Sequence, residues 1–168
     1  MKLYSFDMSG LSNPYQTMPE SVPIYRPIWE CVRRCIADGK IGVTTEIYEE
    51  LTHIRGELGA CIHRHKSALL MEVDEGWDGA RYIGEYDRMR KVHAEWIAEY
   101  TMKSPANTIC LNDLTAVALA KTLGVPVVSM ESRAIGSPKH KRIPDICDLE
   151  DVLHYSFNDF MTIEGIGQ

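Results

Sequence analysis

Two short apolar runs, each closed by an acid, set the strongest limit on how this chain can fold. Leu3-Tyr4-Ser5-Phe6 leads into Asp7 and the chain-turning Met8-Ser9-Gly10, and Val125-Pro126-Val127-Val128-Ser129-Met130 leads into Glu131. Runs this short that stay apolar on both faces read as strands inside a parallel sheet, which helices cover on either side. Such sheets take their ligands beyond the carboxyl ends of the strands. Asp7 and Glu131 are therefore expected on the rim where chemistry occurs.

Two further acids are selected by helical geometry. In the stretch from Thr44 to Ile54 a threonine cap precedes apolar residues at 47, 51, 54 and 58, the spacing of one helix face. Glu50 falls on that inward face between Ile47 and Ile54, whereas Glu49 points away. Asp113 heads a second helix over residues 112–123, on the stripe of Ala116, Val117, Ala120 and Leu123, with Gly124 as its stop. Each acid also has an ordinary structural reading. Asp7 is a turn former, Glu50 an ion-pairing helix residue, Asp113 a helix cap and Glu131 the start of a loop. Taken together, four carboxylates at converging element ends repel one another unless cations neutralise them, and carboxylate oxygens are the ligands preferred by Mg²⁺ and Mn²⁺.

With 168 residues and 45% apolar content, one domain over 1–168 can bury a full core without disulfides. The periodicity predicts an α/β fold: a mostly parallel twisted sheet of about five strands, near 2–7, 40–44, 69–73, 125–130 and 142–146, with helices on both faces. Helices are expected near 24–38, 45–56, 58–67, 81–102, 112–123 and 148–155. Residues 10–23, with three prolines, read as an irregular loop bordering the site. The opening residues lack the apolar run of a signal peptide, no stretch is long enough to span a bilayer, and the odd cysteine count of five fits reduced thiols. A cytoplasmic protein is the expectation. Cys31 and Cys35 lie on an apolar stripe with Ile28, Val32 and Ile36, which favours burial over a zinc site. Tyr82, Tyr86, Met89, His93, Trp96 and Tyr100 follow the alternating spacing of packed helices.

At these residues the chain resembles the PIN domain, the small α/β ribonuclease fold that includes VapC-type toxins. The resemblance rests on Tyr4-Ser5-Phe6-Asp7-Met8-Ser9, on Val43-Thr44-Thr45 leading to Glu49-Glu50-Leu51, on the helix from Asn112 to Ala120, and on Val127-Val128-Ser129-Met130-Glu131. Arg142-Ile143-Pro144-Asp145-Ile146-Cys147 resembles a segment of one poorly characterised PIN-like branch. Order and spacing carry this similarity over nearly the whole chain. It implies a metal-dependent endoribonuclease, the toxin of a toxin-antitoxin module, with Asp7, Glu50, Asp113 and Glu131 holding Mg²⁺ or Mn²⁺ and Ser9 supporting Asp7. It further implies an RNA substrate, a cognate antitoxin and a homodimer, for which the tyrosine-rich seam is a candidate surface. Many PIN domains carry aspartate where Glu131 stands, so an outer-sphere role for Glu131, orienting the attacking water, is an alternative to direct ligation.

The net charge of −6 argues against a general nucleic-acid binder. Basic groups are instead local: Lys139-His140-Lys141-Arg142 follows Glu131 closely and reads either as an RNA-backbone contact or as a solvated charge run. Rival α/β enzymes fit less well. A receiver domain has an acceptor available in Asp74 but lacks a suitably placed lysine after residues 125–130, and a haloacid-dehalogenase-like phosphatase needs an aspartate where Ser9 stands. A PIN-like protein with weakened metal binding, acting as an RNA-binding or protein-interaction module, is the alternative from a different class.

Overall fold

The computed structural model describes residues 1–73, 76–97, 109–136 and 140–166. Asp74, Tyr100 and Lys139, named above, lie outside them. The elements, in chain order, are β1 (Tyr4–Phe6), α1 (Ser9–Thr17), α2 (Arg26–Ala37), β2 (Ile41–Gly42), α3 (Thr45–Leu51), α4 (Gly56–Arg64), α5 (Lys66–Leu69), α6 (Gly79–Val92), α7 (Leu111–Leu123), β3 (Val127–Val128), α8 (Ile143–Leu149), β4 (His154–Tyr155) and α9 (Phe157–Ile163).

All pairings in the sheet are parallel, in the order β2-β1-β3-β4, so every strand delivers its carboxyl end to one edge. β1 pairs with β2 through Tyr4 and Ile41 and with β3 through Ser5 and Val127. The order reverses direction between β1 and β3, which makes their carboxyl ends the switch point where open α/β sheets bind ligands. Asp7 follows β1 directly, and Glu131 stands three residues after β3.

Alternation along the strands builds the two layers. Tyr4, Phe6 and Val128 join one core with Trp29, Ile36, Leu58, Phe157 and Phe160, from α2, α4 and α9. Val127 joins the other with Leu114, Val117, Ile143 and Ile146, from α7 and α8. Ser5 takes the position between Tyr4 and Phe6 and donates its hydroxyl proton to Ala116 O at 2.9 Å, which satisfies a buried polar group against α7. Eight of the thirteen residues of α7 are buried, so this helix sits inside the domain and carries more than the single inward stripe its sequence suggested. Gly124 closes it in the left-handed conformation at φ 69°, as expected from its place after Leu123.

Several expectations are corrected. Among the described residues the sheet has four strands, not about five: residues 69–73 contribute one parallel bridge, Val43 to Leu70. Residues 142–146 form no strand but the start of α8, because Pro144 fits the first helical turn and Asp145 accepts the Arg142 amide at 2.9 Å as an N-terminal cap. The fourth strand is β4, inside the stretch that read as a helix over 148–155. Residues 9–17 form α1 despite Pro14, with Leu11 buried and Thr17 bonding back to Asn13 O.

The helix expected over 81–102 ends at Val92 and gives way to a short 3₁₀ turn, Ala94–Trp96. Its seam turns inward. Tyr82, Met89 and His93 are buried, and His93 Nε2 lies 2.6 Å from Glu150 Oε1 in an ion network with Lys121 and Arg88. Own-core packing therefore occupies the described part of the seam. All five thiols are free; Cys35 is buried and Cys31 partly so. No helix among the described residues is long and apolar enough to cross a membrane.

Gly10 shows how tightly α1 is set against the sheet. A Cβ there would lie 2.6 Å from Val128 O and 3.2 Å from the Phe6 ring, an overlap with backbone that only displacement of α1 or β3 relieves. Gly10→Ala is expected to lower stability by about 1–3 kcal/mol despite alanine's better helix propensity. A lower urea midpoint at unchanged slope is the expected readout, and a raised midpoint would show that α1 has room.

Candidate active site

The edge after β1 is built from Asp7 outward. Asp7 is only 5% exposed, and its Oδ2 accepts two bonds from Ser9, the backbone amide at 2.9 Å and the hydroxyl at 2.5 Å. The same Ser9 hydroxyl oxygen accepts the Met130 amide at 3.1 Å. One side chain thus fixes the first carboxylate and ties the end of β1 to the chain leaving β3.

Glu131 follows Met130. Its amide donates to Ser129 Oγ at 3.2 Å, and its Oε2 accepts the Ile143 amide at 2.9 Å, which draws the side chain to the start of α8. Asp113 is the third residue of α7 and part of a reciprocal cap: its Oδ2 accepts the Cys110 amide at 2.8 Å, while Cys110 Sγ lies 3.5 Å from the Asp113 amide. Glu50, half-buried near the end of α3, receives Asn112 Nδ2 on Oε1 at 2.6 Å. The buried hydroxyls of Thr44 and Thr115, 2.7 Å apart, pin the start of α3 to the start of α7 and so bring Glu50 and Asp113 to the same edge.

The ordinary structural roles are realised for Asp7, at a turn, and Asp113, at a helix start; Glu131 reaches the start of α8, and Glu50 bonds the Asn112 side-chain amide and forms no ion pair among the described residues. Each uses one carboxylate oxygen. No hydrogen bond among the described residues takes up Glu50 Oε2, Asp113 Oδ1 or Glu131 Oε1.

Electrostatics links three of the acids. Burial raises the Asp7 carboxyl above its ordinary range against the lowering effect of the Ser9 bonds. Asp113 is pushed up to about 7, first by burial and then by the charges of Asp7 and Glu131. Glu131 is raised by burial and by Asp7, with the Ile143 amide and Arg142 opposing. Asp7, Asp113 and Glu131 thus form one mutually repelling group, whereas Glu50 is attached to it through Asn112. Among the described residues, no three His, Cys, Asp or Glu side chains stand close enough together to hold one ion as a set. Mg²⁺ commonly binds through one or two carboxylates with water completing its shell, so paired ligation is the arrangement these acids suit.

The segment from His140 to Arg142 lies at the same rim. Arg142 is the residue before α8, and its guanidinium lies 3.4 Å from Ser132 Oγ. Lys141 places its ammonium 5.6 Å from the centre of the Trp96 ring, a cation–π contact that engages it with the protein's own surface.

Sequence reading passed over three contributors. Asn112 is one: its side-chain amide donates to Glu50 across the start of α7. Ser129, buried between β3 and β4, bonds His154 Nε2 at 2.8 Å and receives Glu131's amide. Asp145 Oδ2 accepts the amides of Ala134 and Arg142 at 3.0 and 2.9 Å and so closes the loop after Glu131; the order Arg142, Pro144, Asp145 was its signal.

A family model described as a domain of unknown function, DUF4411, matches residues 4–166. The chain belongs to the DUF4411 family. No curated protein matches it. The matched span of this DUF4411 chain contains all four acids and their supports.

The raised Asp113 carboxyl has a consequence for folding. Between its ordinary 3.8 and about 7, the unfolded chain has released this proton while the folded protein retains it, so Asp113 favours folding at low pH and loses that contribution as pH rises through 7. Asp113→Asn, which keeps an acceptor for Cys110, is expected to raise the thermal midpoint at pH 8 in metal-free buffer and to change it little at pH 4. An equal or lower midpoint at pH 8 would contradict the repulsion.

Proposed function

We propose that this DUF4411 chain is a metal-dependent endoribonuclease of PIN type that acts as the toxin of a toxin-antitoxin module. The observation that carries the proposal is the gathering of Asp7, Asp113 and Glu131, from three separate elements, at the switch point of a parallel sheet, where the charge of Asp7 raises both Asp113 and Glu131. Helix caps and turns do not require like charges to be packed together, and burial of unneutralised carboxylates is costly. A divalent cation removes that cost.

In this reading Asp7 and Asp113 hold Mg²⁺ or Mn²⁺, Glu50 extends the site, and Glu131 ligates or orients water from its place at α8. Bound Mg²⁺ or Mn²⁺ supplies acidification of an attacking water and neutralises charge at the phosphodiester. Ser9 keeps Asp7 in one rotamer, and Asn112 does the same for Glu50 while leaving its other oxygen open. Arg142 lowers the negative field on the RNA side, as its effect on Glu131 indicates. A homodimer, an antitoxin and a cytoplasmic location belong to the same proposal and rest on the PIN resemblance. Tyr82, Met89 and His93 are buried in the chain's own core, so these three seam residues do not support the seam as the partner surface.

A second reading is favoured by two observations. The engagement of Glu131 with the Ile143 amide, and the lack of a ready three-acid group among the described residues, suit a chain that binds metal weakly and works as an RNA-binding or protein-interaction module.

Cleavage of a structured RNA in Mn²⁺ separates the two. Asp7→Asn is expected to reduce cleavage by at least about 100-fold with the circular dichroism spectrum unchanged, and Asn112→Ala by about tenfold, as for a residue that orients a ligand. Near-wild-type turnover in Asp7→Asn would rule out direct ligation, and an inactive wild type in both Mg²⁺ and Mn²⁺ would favour the binding module.

A further inference from the structure

The acidic rim continues on the Glu50 side into a cleft of about 320 Å³, near the low end of small-ligand sites, roughly 300 Å³. Its walls come from α1, with Asn13 and Gln16, and from the end of α3 and the turn that follows, with Glu50, His53 and Arg55. Met8, the residue after Asp7, and Glu50 both line it, so the cleft borders the acidic rim. Residues 10–23 read as an irregular border to the site; as a helix, this segment instead presents two amide side chains at fixed positions.

The lining has one consistent chemistry. Asn13, Gln16, His53 and Arg55 are all exposed, and Arg55 has no ion-pair or hydrogen-bond partner among the described residues. It therefore places an uncompensated positive charge beside an acidic site. Asn13 and Gln16 each offer a donor and an acceptor in one plane, the pairing that matches the edge of a base. His53 is anchored through Nδ1, 3.2 Å from Glu50 O, and its exposed ring offers a flat face of the kind on which unpaired bases stack. A cleft of this size accepts one nucleotide and excludes a duplex.

We infer that the cleft between α1 and the end of α3 is a nucleotide subsite beside the scissile bond, in which Asn13 and Gln16 read the base and Arg55 holds a phosphate. The inference rests on the nuclease reading for its substrate, but it assigns sequence preference to residues outside the acidic group.

The test is fluorescence anisotropy in metal-free buffer with four labelled single-stranded homopolymers of adenylate, uridylate, cytidylate and guanylate, alongside cleavage kinetics in Mn²⁺. The wild type is expected to prefer one base. Asn13→Ala and Gln16→Ala should flatten that preference, while Arg55→Ala should weaken all four homopolymers by about tenfold and reduce the salt dependence. In turnover the loss should fall on KM with kcat retained, which general damage to the fold would not produce. Equal binding of the four homopolymers by the wild type, absence of binding, or variants that keep the wild-type preference would overturn the subsite. Base-dependent binding that the variants abolish, in a protein that cuts nothing, would leave the subsite standing and remove the nuclease reading instead.

Discussion

β1 lies between β2 and β3 and runs parallel to both, so its peptide groups are engaged along both edges and its side chains are covered on both faces. Everything at the site is measured from that strand. Because parallel strands end on one edge, the residue after Phe6 and the residues after Val128 emerge side by side, and α7, held to β1 through Ser5, brings Asp113 to the same place. The Ser9 hydroxyl then joins Asp7 to the Met130 amide across the switch point. The parallel sheet thus brings pieces far apart in the sequence to one edge.

The price in folding free energy is visible in the acids themselves. Each carboxylate is fixed by donors, yet burial holds Asp7, Asp113 and Glu131 above their ordinary ranges, and the charge of Asp7 adds to the rise at Asp113 and Glu131. The Glu150 network shows the opposite arrangement. There Arg88, Lys121 and His93 surround one buried carboxylate, whose pKa is held down to about 2, with burial opposed by those three partners. One domain thus contains a compensated acid, which serves structure, and an uncompensated group, which suits a ligand. Strain stored at functional sites follows this pattern.

Much of this was legible in the chain. Tyr4-Ser5-Phe6-Asp7 and Val127-Val128 announced the central strands because burial on both faces leaves a continuous apolar run, and Thr44 and Gly124 marked helix ends by local chemistry alone. The misreadings share a cause. Residues 142–146 and 154–155 are too short for periodicity to decide between helix and strand, and what settled them was the Pro144-Asp145 cap and the pairing of His154 with Val127, one local and one wholly tertiary. α1 was missed because Pro14 outweighed the buried Leu11. At the site, the identity of the acids was readable, but their partners were not: the bonds from Asn112 to Glu50 and from Ile143 to Glu131 connect residues whose contact depends on the fold.

The central claim is that the acidic group at the carboxyl edge is completed by a divalent cation. Isothermal titration of Mn²⁺ into the metal-free protein at pH 8, with Asp7→Asn as the partner measurement, tests it most directly. Saturable binding by the wild type that is lost in Asp7→Asn is the predicted result. Wild-type protein that binds no Mn²⁺, or binding that Asp7→Asn leaves unchanged, would contradict the claim and return the four acids to their roles as turn, cap and helix-start residues.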